Sequence, residues 1–188
     1  HFNLPWHMAI ESGAFSEVGL DLEFIQYPTG TGAMCQDLRD GKIDLAVALT
    51  EGLLMDMARH QATVLVSPYV MSSLRWGIHV AADSRFQQSG DLKGQTFAIS
   101  RMGSGSHLMA LLWAQYQGWN PQSVKLKPIG GLDPLEKAVL TRQADVFLWE
   151  VFTTLPRVKE GALRALGEIK TTWPCFMFAA QPEWLKQH

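Results

Sequence analysis

Short apolar runs of strand length alternate with helical stretches along this chain, and that alternation constrains the fold more than any other feature. Strands are predicted over residues 20–27, 43–49, 63–71, 75–82, 96–100, 124–129, 145–152 and 173–180. Helices are predicted from about residue 32 to residue 40 and over residues 53–59, 107–117 and 135–143. Strands that alternate with helices form a largely parallel sheet covered by helices. The predicted fold class is therefore α/β.

The two halves of the sequence repeat one pattern of glycine and aspartate. Gly30 precedes Asp44 by 14 positions, and Gly131 precedes Asp145 by the same 14. Each glycine follows a predicted strand, and each aspartate opens an apolar strand. This repeat predicts two lobes that are built in the same way.

The repeat also predicts a strand that the sequence does not contain. In the second half, the strand at residues 96–100 precedes the loop that leads to His107. His7 begins the corresponding helical stretch of the first half, so the matching strand would end just before His1. We therefore expect the sheet of the first lobe to lack one strand.

Charge and composition exclude several classes of protein. The 188 residues carry 16 basic and 18 acidic side chains, a net charge of −2. The sequence supplies no basic face of the kind that binds nucleic acid, so no nucleic-acid partner is predicted. No apolar run approaches the ~20 residues of a membrane-spanning helix. The two cysteines form no CxxC pair and are too few for a disulfide scaffold.

Several loops follow predicted strands, where the ligand of an open α/β sheet binds. They cover residues 1–7, 28–32, 50–52, 101–107, 130–133 and 149–150. Two of them, at 28–32 and 101–107, are rich in glycine and hydroxyl groups and open into helices, whose N-termini attract anions and polar oxygens. The alternative is ordinary helix capping by Thr31, Ser104 and Ser106. Two such loops in matching positions of the repeat favour binding.

Aromatic and acidic side chains occur at the same edge. Trp6 and Trp149 are two of seven tryptophans, and both fall in these loops, where stacking suits a flat or apolar ligand. Glu51 and Glu150 follow strands in similar positions, where a carboxylate accepts from an amino or hydroxyl group. The alternatives are core packing for the tryptophans and a solvated surface for the glutamates.

Common catalytic and cofactor motifs are missing from the sequence. Neither Gly30-x-Gly32 nor Gly103-x-Gly105 continues to the third glycine of a dinucleotide site, and there is no GxxxxGK[ST] or GxSxG. The six histidines form no HxxxH or HExxH pair, so no zinc site is predicted. The sequence therefore predicts no cofactor and no metal.

Several stretches, in order, resemble the type 2 periplasmic substrate-binding proteins of ABC importers, and more narrowly the nitrate, sulfonate and thiamine-pyrimidine-precursor branch. Residues 5–15 and 18–23 resemble the start of that family, and residues 30–32 stand at its glycine- and threonine-rich loop. Residues 38–46 are similar to its L-x-x-G-x-I-D pattern, and residues 91–98 to the D-L-K-G run that opens its second lobe. Residues 144–146 resemble its x-D-A strand.

The resemblance implies a fold of two lobes, each a mostly parallel sheet flanked by helices, joined by two crossings. Lobe one would comprise residues 1–72 and 174–188, incomplete at both ends, and lobe two residues 73–173. The ligand would lie between lobes that close by hinge motion. The predicted ligand-binding residues are Phe2, Leu4, Trp6, His7, Gly30, Thr31, Gly32, Glu51, Arg101, Ser104, Gly105, Ser106, Trp149 and Glu150.

The resemblance also implies a function. The chain would be the substrate-binding component of an ABC importer, a monomer in the periplasm or lipid-anchored outside the cytoplasm, with a membrane permease as partner. Its ligand would be a nitrogen-containing aromatic, an amine or a sulfonate-like molecule. One alternative is an enzyme on the same fold, a pyrimidine-precursor synthase or a menaquinone-pathway lyase, using His7 or His107 as acid or base. The other alternative is a ligand-sensing domain.

Overall fold

A computed structural model describes residues 3–187, which fold around two separate β-sheets. We call the three-stranded sheet with its helices lobe one, and the five-stranded sheet with its helices lobe two. The helices are α1 (Leu4–Glu11), α2 (Ala14–Glu17), α3 (Thr31–Arg39), α4 (Thr50–His60), α5 (Gly105–Tyr116), α6 (Leu132–Leu140), α7 (Val151–Lys159) and α8 (Pro182–Gln187). The strands are β1 (Leu45–Leu49), β2 (Val64–Val70), β3 (Arg75–Ala81), β4 (Thr96–Ile99), β5 (Lys125–Pro128), β6 (Val146–Glu150), β7 (Leu163–Lys170) and β8 (Phe176–Ala180).

The predicted two-lobed α/β class is confirmed, while the strand directions differ from expectation in lobe one. Its sheet has the order β1-β8-β2, and both pairings are antiparallel. The sheet of lobe two has the order β5-β4-β6-β3-β7, with β4 parallel to both neighbours and β3 antiparallel to both of its own. In each lobe the antiparallel pairs form around the strand that arrives from the other lobe, β8 or β3.

The repeat is visible in the two sheets. In lobe one β1 follows Asp44 and pairs with β8, which pairs in turn with β2. In lobe two β6 follows Asp145 and pairs with β3, which pairs in turn with β7. The Asp145 carboxylate also accepts the Thr96 backbone N–H at 2.8 Å and so joins the starts of β6 and β4. The sheet order β1-β8-β2 thus corresponds to β6-β3-β7.

The strand predicted over residues 20–27 does not form. The segment is irregular, and it lines a large cavity whose wall also contains β1. A strand needs a hydrogen-bonding neighbour, and the segment at 20–27 pairs with none of the strands within residues 3–187. The edge of β1 that is turned away from β8 is also unpaired within this part of the chain. The strand expected before His1 stays a prediction.

Most of the apolar core lies in lobe two, where Phe97, Ile78 and Leu148 are fully enclosed between the sheet and α5. Lobe one has a smaller core, centred on Cys35, Leu38 and Leu53. None of the helices in the described part of the chain is long and apolar enough to cross a bilayer.

The chain passes between the lobes twice, and hydrogen bonds join the two crossings. The Leu74 N–H donates to the Thr171 hydroxyl at 3.0 Å, and the Thr171 N–H donates back to the Leu74 carbonyl at 3.1 Å. The Cys175 N–H donates to the Val70 carbonyl at 2.9 Å. The crossings therefore form one connected hinge.

Candidate functional site

A cavity of about 1990 Å³ lies between the lobes and extends along the open edge of β1. Lobe one contributes the start of α3 and the strand β1 to its wall. Lobe two contributes the loop before α5, the loop before α6 and the end of β6. Of the predicted site residues, the wall contains Trp6, Gly30, Thr31, Arg101, Ser104, Gly105, Ser106, Trp149 and Glu150.

Two helices begin at this cavity without a side-chain cap. Gly30 is the N-cap of α3 and Gly131 is the N-cap of α6, and neither supplies a side chain to the first-turn N–H groups. Gly30 has φ 79°, a left-handed conformation that glycine adopts without strain. Uncapped N-termini present free N–H donors and the positive end of the helix dipole. The repeat thus places one uncapped helix start from each lobe at the cavity. The first turn of α3 has no acidic side chain, whereas that of α6 carries Asp133, so α3 is the start that suits an anion.

The expected capping by hydroxyl groups is found at α5 but not at α3. Ser104 is the N-cap of α5, and its Oγ accepts the His107 N–H at 3.2 Å. The Ser106 Oγ accepts the Ser100 N–H at 2.9 Å, so both hydroxyls close the loop. The Thr31 Oγ1 instead accepts the Leu49 N–H at 3.3 Å, which ties α3 to β1.

Arg101 reaches from lobe two to the first turn of α3. A β-carbon on Gly32 would lie 2.8 Å from the Arg101 Cζ, so the guanidinium occupies the space above that glycine. Arg101 takes part in none of the ion pairs formed by the described residues. A cation beside the positive end of a helix is unfavourable, and an anion placed between them would stabilise both.

The two tryptophans predicted at the site have different surroundings. Trp149 lines the cavity and packs on the apolar cluster of lobe two that contains Phe147. Trp6 also lines the cavity but belongs to an aromatic cluster of lobe one, with ring centroids 5.8 Å from Phe15 and 5.9 Å from Phe178. Of these two tryptophans, Trp149 is therefore the one on the lobe-two side of the cavity.

The two glutamates, although they occupy similar sequence positions, make different contacts. Both carboxylate oxygens of Glu150 cap α7, accepting the Phe152 N–H at 2.9 Å and the Thr153 N–H at 2.7 Å. Glu51 is buried, and its Oε2 accepts the Trp173 indole N–H at 3.0 Å. Burial raises the pKa of Glu51 above its ordinary value, while the Trp173 hydrogen bond lowers it.

Four predicted residues lie away from the cavity wall. Gly32 is covered by Arg101, and Glu51 is enclosed beside the crossing. Leu4 is exposed on α1, as is His7, whose ring lies 5.3 Å from Phe24. Phe2 lies outside the described residues.

His107, the second histidine of the enzyme hypothesis, is in the first turn of α5. Its Nδ1 accepts the Gly103 N–H at 2.9 Å. Burial and then the positive charge of Arg59 lower the pKa of His107, which favours its neutral form. Neither His7 nor His107 belongs to the cavity wall. Within residues 3–187, no group of three or more His, Cys, Asp or Glu side chains is placed to hold a metal ion.

The wall also contains residues that were not predicted. Trp76, Phe152 and Thr153 come from lobe two. Gly130 and Gly131 also line the cavity; the loop that contains them was expected at the ligand edge, but they were not among the predicted binding residues. The repeat carried the signal for Gly131, since it occupies the position that Gly30 has in lobe one. Trp76 carried no such signal, because its place at the cavity depends on the sheet order of lobe two.

Two sheets, two crossings and a large cavity between the lobes define the generic periplasmic binding protein fold. Residues 76–169, half of the chain, match the family described as Ca3427-like PBP. The chain therefore belongs to the Ca3427-like family of type 2 periplasmic binding proteins. No curated protein matches it by sequence.

Solved structures share this fold. The Candida albicans CA3427 gene product, described as having the generic periplasmic binding protein fold, is 25% identical with a TM-score of 0.92, and the match covers 100% of this chain and 62% of that one. The aliphatic sulphonate binding protein SsuA of Escherichia coli is 16% identical with a TM-score of 0.72, covering 100% of this chain and 59% of that one. The alkanesulfonate-binding SsuA of Xanthomonas axonopodis pv. citri, bound to MOPS, is 19% identical with a TM-score of 0.76, covering 97% and 62%.

This chain spans about three fifths of the length of these proteins.

Proposed function

We propose that this protein captures a small organic anion between its lobes and delivers it to the membrane permease of an ABC importer. The observation that carries the proposal is the Arg101 guanidinium beside the uncapped start of α3, with no acidic partner among the described residues. A sulfonate or carboxylate would accept hydrogen bonds from both. Hydrogen bonds to a charged group contribute about 1.5–3 kcal/mol each.

The aromatic part of the wall supports an organic ligand rather than a bare inorganic ion. Trp149, Phe152 and Trp76 line the lobe-two side of the cavity. Contact with an indole adds ~0.5–1.5 kcal/mol beyond the burial of apolar area. The ligand class that suits both parts of the site is a molecule with one anionic group and an apolar or flat body, such as an alkanesulfonate.

The importer role rests on similarity to proteins that bind sulfonates. Both SsuA structures reported above are described as sulfonate-binding proteins, and that of Escherichia coli as periplasmic. By analogy the protein acts outside the cytoplasm, as a monomer whose closed shape the permease recognises. A single chain forms both sides of the cavity, so binding requires no second copy.

Binding without catalysis fits the site better than the enzyme alternative. His7 and His107 were the proposed acid and base, and neither belongs to the cavity wall. His107 already uses its Nδ1 to accept the Gly103 N–H. We therefore assign no chemical step to the site.

The proposal is tested by calorimetric titration with butanesulfonate, and with 1-butanol as the uncharged comparison. The wild-type protein should bind the sulfonate and not the alcohol. Arg101→Gln should weaken binding at least tenfold, since 1.4 kcal/mol corresponds to a factor of ten. Trp149→Ala should weaken binding by about tenfold through the lost stacking and apolar contact.

Arg85→Gln provides the matched control, because Arg85 is exposed in lobe two and does not belong to the cavity wall. Mass spectrometry of small molecules that co-purify with the protein would identify the natural ligand. The proposal fails if butanesulfonate does not bind and no organic anion co-purifies. Wild-type affinity in Arg101→Gln would show that the anion binds elsewhere.

A further inference from the structure

Glu51 occupies the point where both lobes and the hinge meet. It lies in the first turn of α4 in lobe one, and only 1% of its surface is exposed. Its Oε2 accepts the indole N–H of Trp173, which belongs to the second crossing, at 3.0 Å. The charged end of this side chain is therefore removed from water at the joint between the lobes.

The other carboxyl oxygen of Glu51 is buried against lobe two. Glu51 Oε1 has no hydrogen-bond partner among the described residues. A β-carbon on Gly105, the first residue of α5, would lie 3.3 Å from this oxygen. The same position lies 3.0 Å from the Cη2 atom of the Trp76 ring. Gly105 and Trp76 therefore cover Oε1 while the lobes are in contact.

A buried carboxylate oxygen without a partner is costly, whereas a neutral carboxyl in the same place costs much less. Burial raises the pKa of Glu51. The hydrogen bonds from Trp173 and from the Glu51 backbone N–H oppose this shift, and no basic side chain is among the groups that affect the pKa. The Cys175 thiol is close enough to respond to this carboxylate, since its pKa is raised to about 12, first by burial and then by the charges of Glu51 and Glu150. None of these groups offers the Glu51 carboxylate a compensating positive charge.

The basic groups on neighbouring elements lie against other parts of the structure, and only Arg75 among them forms an ion pair with another described residue. Arg59, on α4 itself, lies against Gly103. Arg101, in the loop before α5, lies against Gly32. Arg75, beside Trp76 on β3, pairs with Glu168 at 2.8 Å. His107 on α5 has its Nδ1 bonded to the Gly103 N–H and a pKa lowered by burial.

The start of α4 is fixed to the second crossing, so opening of the lobes would separate Glu51 from α5 and not from the hinge. The Thr50 N–H donates to the Cys175 carbonyl at 3.2 Å, and the Thr50 hydroxyl donates to the Pro174 carbonyl. Together with the Trp173 bond, these contacts hold Glu51 on the hinge. Movement of Gly105 away from it would expose Oε1 to water.

We propose that Glu51 couples lobe closure to the uptake of one proton. In the closed form the proton sits on Oε1, because Oε2 accepts from Trp173. When the lobes part, Oε1 meets water and releases the proton to solvent. The inference goes beyond ligand capture, since it concerns the lobes themselves and applies whichever small molecule binds.

The sign of the effect follows from the raised pKa. The Glu51 carboxyl is harder to ionise in the closed form, so it favours closure when the pH is below its ordinary pKa of 4.5. This contribution to closure is lost as the pH rises through the raised pKa of the closed form. One proton gives a change of about tenfold per pH unit in the ratio of closed to open molecules, in the range between the open-form and closed-form pKa values of Glu51.

Small-angle X-ray scattering of the ligand-free protein across a pH series tests the proposal. The wild-type radius of gyration should increase with pH, with a midpoint above 4.5. Glu51→Gln keeps the shape of the side chain without the charge, and it should stay compact over the whole series. Glu160→Gln, an exposed glutamate of lobe two, is the matched control and should behave like wild type.

Carbon-13 NMR of the glutamate carboxyl groups gives a second measurement of the same titration. It needs only the wild-type protein. The Glu51→Gln variant, if it folds, assigns the Glu51 signal. One carboxyl should titrate well above the others, and the Trp173 indole signal should shift with the same midpoint. The proposal is overturned if no glutamate titrates late, or if Glu51→Gln opens with pH as wild type does. Butanesulfonate binding at one fixed pH tests ligand capture separately, so the two can fail independently.

Discussion

The guanidinium of Arg59, near the end of α4 in lobe one, lies against Gly103 in lobe two, and a β-carbon on that glycine would be 2.8 Å from the Arg59 Nη1. The same charge lowers the pKa of His107, after the larger effect of burial. His107 therefore responds to whether Arg59 is in place, and it can serve as a probe of contact between the lobes.

Arg59→Ala should raise the pKa of His107 toward its ordinary value of 6.5, because it removes a nearby positive charge. Proton NMR of the histidine rings during a pH titration measures the shift. Arg85→Ala removes an equal charge from an exposed site in lobe two and should leave the His107 titration as in wild type. Identical titrations for the wild-type and Arg59→Ala proteins would show that this contact is not formed in solution.

Gly32→Ala should weaken ligand binding without lowering the stability of the fold. The new methyl group overlaps the Arg101 guanidinium and displaces it from the start of α3. Alanine is a better helix former than glycine and the displaced group is the end of a flexible side chain, so the melting temperature should not fall. The affinity for butanesulfonate should fall at least tenfold.

Gly90→Ala is the matched control for this substitution, since a β-carbon on Gly90 meets no atom within 4 Å. It should bind butanesulfonate like wild type. Unchanged affinity in Gly32→Ala would remove Arg101 from the proposed anion site.

His79 should make the protein less stable in acid. The ring is buried, its Nε2 lies 3.0 Å from the Thr154 hydroxyl, and burial lowers the pKa of His79 to about 4 from 6.5. A group with a depressed pKa binds fewer protons when folded, so its contribution is present above pH 6.5 and lost as the pH falls toward 4. The full loss is roughly 3 kcal/mol, at 1.36 kcal/mol per pKa unit.

Urea unfolding of wild type and His79→Gln at pH 7 and pH 4.5 measures this contribution. The variant should be less stable than wild type at pH 7 and should lose less stability on acidification. His60→Gln changes an exposed histidine and should follow wild type. An equal acid loss in His79→Gln and wild type would assign the effect to other groups.

The two thiols should resist modification in the native protein. Burial raises the pKa of Cys35 to about 11 and that of Cys175 to about 12, so the reactive thiolate is scarce at pH 8. An aromatic disulfide reagent should release little colour from the folded protein and two equivalents after unfolding in urea. One equivalent released at once from the folded protein would contradict the buried position of one cysteine.

The sequence allowed the prediction of features that depend on local pattern. The Gly30–Asp44 and Gly131–Asp145 spacing predicted two similar lobes, and both glycines begin helices at the cavity. The α/β alternation predicted the fold class. These features depend on residues that are close in sequence, so they can be predicted without knowing which distant residues will be in contact.

Features that depend on distant partners could not be predicted. Glu51 and Glu150 follow strands in the same way, yet one accepts from an indole 122 positions away and the other caps its own helix. The segment at 20–27 was predicted to be a strand but has no paired neighbour among the described residues. In both cases the outcome depends on which groups the tertiary fold brings alongside.

The reciprocal hydrogen bonds between Leu74 and Thr171 have a consequence for chain cleavage. Because the two crossings are bound to each other, a single proteolytic cut at residues 71–73 would leave the lobes connected through the intact crossing and through these bonds. A nicked protein should therefore run as two fragments on a denaturing gel and elute as one particle from a sizing column. Its remaining crossing could still act as the pivot of the lobes.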